Sequence, residues 1–111
     1  MKKNSSPFIM KNKKILFFFL VCCQLLLAQK PTIKKANQLF TNKAYVEAAK
    51  MYEVFKGKQH KEVLQNLGDC YYYNAQMKFA ADNYGNLFFK YKDSIQPEYY
   101  FRYAHALKGI E

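Results

Sequence analysis

The chain has 111 residues, room for one small domain, and a formal charge of +10. Five lysines, Lys2, Lys3, Lys11, Lys13 and Lys14, lie near the N-terminus, and without them the excess falls to +5, spread along the chain instead of massed in a stripe. That spread argues for a solvated surface and against a nucleic-acid face. Cys70 is the only cysteine beyond residue 28, which rules out an internal disulfide in that part.

Residues 1–28 read as a signal peptide. The lysines form a basic start, and "ILFFFLVCC" from Ile15 to Cys23, then Gln24 and "LLLA", forms an apolar stretch. A membrane span needs about 20 apolar residues, and this stretch is shorter and broken by Gln24. Ala28 is a small residue where cleavage would leave Gln29 first. An uncleaved anchor is the alternative, and a second start at Met10 would leave the same signal with a shorter basic region. Lipid attachment at Cys22 is disfavoured because Val21 before it is not small. The expected location is therefore outside the cytoplasm, in the periplasm or on the outer membrane, with membrane contact only through this segment or a partner.

From Thr32 onward nothing alternates with a period of two, and no Asn-Gly or Asp-Gly hairpin signal occurs. Apolar residues instead recur at helical spacing in five segments, which predicts an all-α chain of short paired helices. The segments are carried in turn by Ile33, Ala36, Leu39 and Phe40; by Tyr45, Ala48, Ala49, Tyr52 and Phe55; by Val63, Leu64, Leu67, Gly68 and Tyr71; by Met77, Ala80, Ala81, Tyr84, Leu87 and Phe88; and by Tyr100, Tyr103, Ala104 and Leu107. Breaks are predicted at Asn42 to Ala44, at "KGKQ" from Lys56, at Asn74 to Gln76 and at "KDSIQP" from Lys92. Pro97 fits a first helical turn, and Ser94 with Glu98 adds a helix-start signal.

The segments repeat. Small residues of the odd-numbered segments align at Ala36, Gly68 and Ala104, and Ala48 and Tyr52 recur 32 residues on as Ala80 and Tyr84. Leu64, Leu67-Gly68 and Tyr71, followed by Ala80, Tyr84 and Leu87, resemble the tetratricopeptide repeat, a helix-turn-helix unit of about 34 residues. The resemblance implies repeats at 29–58 and 59–94 and the first helix of a third at 95–111. The first repeat keeps Ala36, Leu39, Ala48 and Tyr52 but has Lys35 where Leu, and Phe55 where Ala, is expected. The implied fold is a tandem helix-turn-helix solenoid of about two and a half repeats. Since about three repeats are usually needed for stability, an apolar face is expected to stay uncovered, in a chain that is the front of a longer protein or needs a partner.

In that family the first helices line a concave groove. The resemblance places Asn37, Gln65, Asp69, Tyr72, Tyr73, Phe101, Arg102 and His105 there as a partner-binding surface. For the tyrosines the alternative is that Tyr73 packs on the turn at Asn74 and Tyr72 is amphipathic surface. A carboxylate-gripping clamp is not expected, because Ile33, Asp69 and Glu98 stand where it needs other residues. No catalytic constellation, phosphate loop, cofactor motif or metal-ligand spacing is found; His60 and His105 are isolated, and Cys70 reads as a packing residue.

The Lys-rich start, the signal ending in Ala-Gln and the degenerate repeats from "KKANQLFTNKAYVEAAKMYE" also resemble the N-terminal part of OmpA-family envelope proteins of Bacteroidetes-type bacteria. Those proteins join such repeats to a β-propeller and a peptidoglycan-binding domain, and some are linked to gliding motility and type IX secretion. The expected function is a non-catalytic protein-protein interaction scaffold of the cell envelope that binds a protein or peptide partner. The alternative is a small signal-anchored or secreted helical protein on the membrane surface.

Overall fold

A computed structural model of the chain describes residues 13–21, 30–58 and 60–111. The chain divides into two units, Met1–Lys30 and Pro31–Glu111. The predicted cleavage at Ala28, the Cys22 and Cys23 pair and Gln59 of the "KGKQ" break lie outside the described residues.

In the first unit a helix, α1, spans 13–21. Its residues Ile15 to Leu20 are between 49% and 71% exposed, so this apolar helix is not buried in a core. No helix among the described residues is long and apolar enough to cross a membrane.

The second unit is all-α among its described residues: α2 (Ile33–Thr41), α3 (Tyr45–Phe55), α4 (Lys61–Tyr73), α5 (Met77–Tyr91) and α6 (Pro97–Gly109). Pairs α2/α3 and α4/α5 are hairpins, with α6 packed beyond the second. Thr32 caps α2, its hydroxyl accepting from the Lys35 N–H at 3.0 Å. Pro97 opens α6, where its missing N–H costs nothing. Ser94 is not that helix's cap: Gln96 holds the position, and Ser94 ends a short 3-10 turn, Lys92–Ser94.

The two hairpin turns are copies of each other at an interval of 32. Asn42, Lys43 and Ala44 donate their N–H groups to the carbonyls of Gln38, Phe40 and Leu39, while Asn74, Ala75 and Gln76 donate to Cys70, Tyr72 and Tyr71. Lys43 and Ala75 both take the left-handed conformation, with φ of 62° and 60°. Between hairpins the interval is longer: the 3-10 turns Lys56–Lys58 and Lys92–Ser94 are 36 apart. The difference lies in the second helices, since α3 has 11 residues and α5 has 15. Four residues are close to one helical turn, so α6 keeps nearly the face it would have had without them.

Two core clusters show which face of each first helix meets what. Val63, Leu67 and Cys70 of α4 are buried with Ala36, Ala48 and Tyr52 of the first hairpin. Leu64 of α4 is buried with Ala80, Tyr84 and Leu87 of α5, and there Tyr99 and Ala106 of α6 join it. One side of α4 therefore packs back on the preceding hairpin and the other on its own second helix.

Small residues set the close approaches. A methyl placed at Gly68 would lie 2.5 Å from the Tyr84 ring, so α4 and α5 pack with that ring against bare backbone. Ala36, Ala48 and Ala80 are fully buried, as are Tyr52, Leu67, Tyr84 and Leu87. Leu64 is nearly so, and Tyr71 is half-buried between the clusters. Ala104, the third small residue of the register, is exposed. It stands on the solvent side of α6, and Ala106 is buried instead, because among the described residues no helix packs against α6 as α5 packs against α4.

Candidate partner-binding groove

The first helices α2, α4 and α6 lie side by side, and polar side chains join them in a chain. The Tyr52 hydroxyl donates to Asn37 Oδ1, and Asn66 Nδ2 donates to the Tyr52 hydroxyl at 3.0 Å. Asn37 Nδ2 also donates to Glu62 at 3.3 Å, and Gln65 donates to Gln96 at 2.9 Å. Thirty-two residues beyond the Tyr52 to Asn37 bond, the Tyr84 hydroxyl donates to Asp69 Oδ1 at 2.5 Å.

Asp69 collects two further donors, Arg102 at 3.0 Å and the Tyr99 hydroxyl at 3.2 Å. Its side chain is only 5% exposed, against 21% for that of Arg102. Burial pushes its carboxyl above the usual carboxylate range, although the Tyr84 hydrogen bond and the Arg102 charge oppose the shift. Burial acts to lower the Arg102 pKa, but Asp69 together with Tyr73, Tyr84 and Tyr99 outweighs it, so the pKa is raised and the guanidinium is held charged. The same guanidinium lies 5.1 Å from the Tyr99 ring centroid and 5.6 Å from that of Tyr73.

The eight residues expected to line the groove thus separate into two sets. Asn37, Gln65, Asp69, Tyr72, Arg102 and His105 are occupied in bonds between helices of this chain; Tyr72 and His105 meet hydroxyl to Nδ1 at 2.8 Å. Asp69 keeps a place in the lining of the depression beside Tyr73, but as a nearly buried tie already held by three donors of this chain. Its three donors draw it inward, which a sequence position on the concave side does not reveal.

Tyr73 and Phe101 form the second set, at 48% and 69% exposed. Tyr73 rests on Tyr45 with ring centroids 5.2 Å apart, and Phe101 stacks on His105 at 6.1 Å and 10°. A depression of about 410 Å³ is lined by Phe40, Lys43, Tyr45, Tyr73, Glu98 and Arg102 among others. Lys43 and Tyr45 come from the first hairpin's turn and the start of α3, a contribution that a reading confined to first helices overlooks, whereas Phe40 belongs to α2. The signal lay in the turn at Asn42 to Ala44, which carries Tyr45 alongside Tyr73.

Comparison with protein-family models, with curated proteins and with solved structures finds no match to this chain. The residues must therefore carry the functional argument by themselves.

Cys70 is 1% exposed, and burial pushes its thiol up to about 12, with the Asp69 charge adding to the shift. At neutral pH it is a protonated packing group, a poor nucleophile. The native chain is expected to leave Cys70 unmodified by iodoacetamide under conditions in which the urea-unfolded chain reacts fully, with the adduct on residue 70 counted by peptide mass spectrometry. Modification at equal rates in both states contradicts the burial. Among the described residues no three His, Cys, Asp or Glu side chains are grouped to hold a metal ion.

Proposed function

We propose that this chain is a non-catalytic protein-protein interaction scaffold of the bacterial cell envelope, exported by its N-terminal segment and built from tetratricopeptide-like repeats. One observation carries the reading: on the concave side the polar residues are tied to one another, while Tyr73 and Phe101 stay exposed on rigid supports. Aromatic side chains held in place in this way lose little freedom when a polypeptide lies across them, and aromatic anchors dominate binding energy at protein interfaces.

The export reading draws support from α1, an apolar helix that is not buried. In this account the chain is the N-terminal part of a larger outer-membrane-associated protein, of the kind linked to gliding, type IX secretion or peptidoglycan. The repeats dock a protein or peptide partner in the periplasm or at the outer membrane.

The test is a selection of displayed random peptides on the purified chain, repeated with Tyr73→Ala and with Phe101→Ala. Peptides enriched on the native chain are expected to bind each variant at least about tenfold more weakly, the loss of one anchor of about 1.4 kcal/mol, with circular dichroism unchanged. Enrichment that survives both substitutions contradicts the groove reading.

A further inference from the structure

The internal repeat states what kind of element belongs on the open side of α6. Leu64, Gly68 and Tyr71 of α4 correspond to Tyr100, Ala104 and Leu107 of α6 at the interval of 36 that separates the 3-10 turns. On α4 all three positions face α5: Leu64 is 1% exposed in its cluster, Gly68 lies under the Tyr84 ring, and Tyr71 meets Phe79 at 5.3 Å. On α2 the equivalents of the last two, Ala36 and Leu39, face α3 in the same way. On α6 the corresponding residues stay exposed, Tyr100 52% and Leu107 42% with Ala104 between them, although one side of the Tyr100 ring meets Phe88 of α5 at 4.5 Å.

The other side of α6 follows the same register and is covered. Val63, Leu67 and Cys70 correspond to Tyr99, Tyr103 and Ala106, which pack on the second hairpin. The correspondence therefore holds for the face whose partner is present. At the opposite end of the array, the α2 positions equivalent to Leu67 and Cys70 are Lys35 and Gln38, both polar. The apolar open face belongs to α6 and not to α2.

The helices that cover this face elsewhere share a pattern: alanine, tyrosine four positions later and an apolar residue three further. α3 has Ala48, Tyr52 and Phe55, and α5 has Ala80, Tyr84 and Leu87. Both are already engaged, their alanines and tyrosines fully buried, so a second copy cannot lend either without unfolding. We propose that Tyr100, Ala104 and Leu107 of α6 dock one amphipathic partner helix, supplied from outside residues 1–111, that carries this alanine, tyrosine and leucine pattern. Ala104 provides the small position against which the incoming tyrosine ring packs, as Ala36 does for Tyr52. This surface is separate from the groove residues Tyr73 and Tyr45 and does not rest on the groove reading.

The probe is a fluorescein-labelled synthetic peptide with the sequence of residues 75–92, added to the full chain and followed by anisotropy. Saturable binding is expected, weakened at least about tenfold by Ala104→Glu and by Leu107→Lys, both at exposed positions, with helical content unchanged. Tyr73→Ala should leave it intact, and a peptide lacking the tyrosine equivalent to Tyr84 should not bind. Equal affinity for the Ala104→Glu chain would show that the peptide sits elsewhere and overturns the proposal. So does failure to bind, whether sedimentation shows dimers that Ala104→Glu dissociates, vesicle flotation shows a lipid surface on this face, or the chain stays free and monomeric.

Discussion

Gly68→Ala is expected to destabilise the fold by roughly 2 kcal/mol, although alanine is the better helix former by up to about 1 kcal/mol. The added methyl would stand 2.5 and 2.7 Å from two carbons of the Tyr84 ring. That ring cannot swing aside freely, because its hydroxyl is bonded to Asp69 and its faces meet Tyr72 and Tyr99 at 6.3 and 5.9 Å. Relief of the clash therefore has to part α4 from α5. Urea unfolding of the two proteins checks it: a lower midpoint at similar slope is predicted, and an unchanged or higher midpoint would show that the helices do not approach as described.

Asp69→Ala is expected to cost more, about 3 kcal/mol, since it strands the Tyr84 and Tyr99 hydroxyls and leaves the half-buried Arg102 without its counter-charge. Asp69→Asn should cost less. The first hairpin already uses an amide at this place, where the Tyr52 hydroxyl donates to Asn37. The two substitutions also differ in pH dependence. Burial raises the Asp69 pKa in the folded chain above its ordinary value of 3.8, so the native state holds that proton to higher pH than the unfolded chain does. Between those two values the native state binds more protons, and the Asp69 contribution to stability grows as pH falls. The stability of the native chain relative to Asp69→Asn should therefore improve on acidification from neutral pH toward 3.8, as measured by urea midpoints across that range. A difference that moves the other way would mean that the three donors outweigh burial and lower the pKa.

The repeat was legible in the sequence because its main determinants are local and periodic. Ala48 with Ala80 and Tyr52 with Tyr84 mark the second helices, and Asn42 with Asn74 mark the turns, so hairpin boundaries followed from spacing alone. Ala104 keeps its register, and its exposure fits the uncovered face expected of a third repeat with only its first helix. Register is a property of the sequence, whereas burial depends on whether a covering helix is present.

The groove was less legible. Its positions follow from helix phase, but phase does not tell a free side chain from one bonded across to a neighbouring helix. Asp69 looked like a surface acid and is a buried hub, because its three donors sit 15, 30 and 33 residues away. Asn83 gave no signal at all. It is 1% exposed with its Oδ1 unpaired among the described residues, at the position equivalent to Met51 in the first hairpin. The helical spacing marks Tyr45 only as an apolar position of the second segment, whereas the fold sets it under Tyr73 at the rim of the groove.

The most direct measurement is a nitrogen-15 NMR titration of the chain with a peptide taken from the display selection. The account predicts shift changes gathered on Lys43, Tyr45, Tyr73, Phe101 and Arg102, with those of α5 nearly still. Changes centred on α5 and the outer side of α3, or spread evenly over the chain, would contradict a concave aromatic binding face.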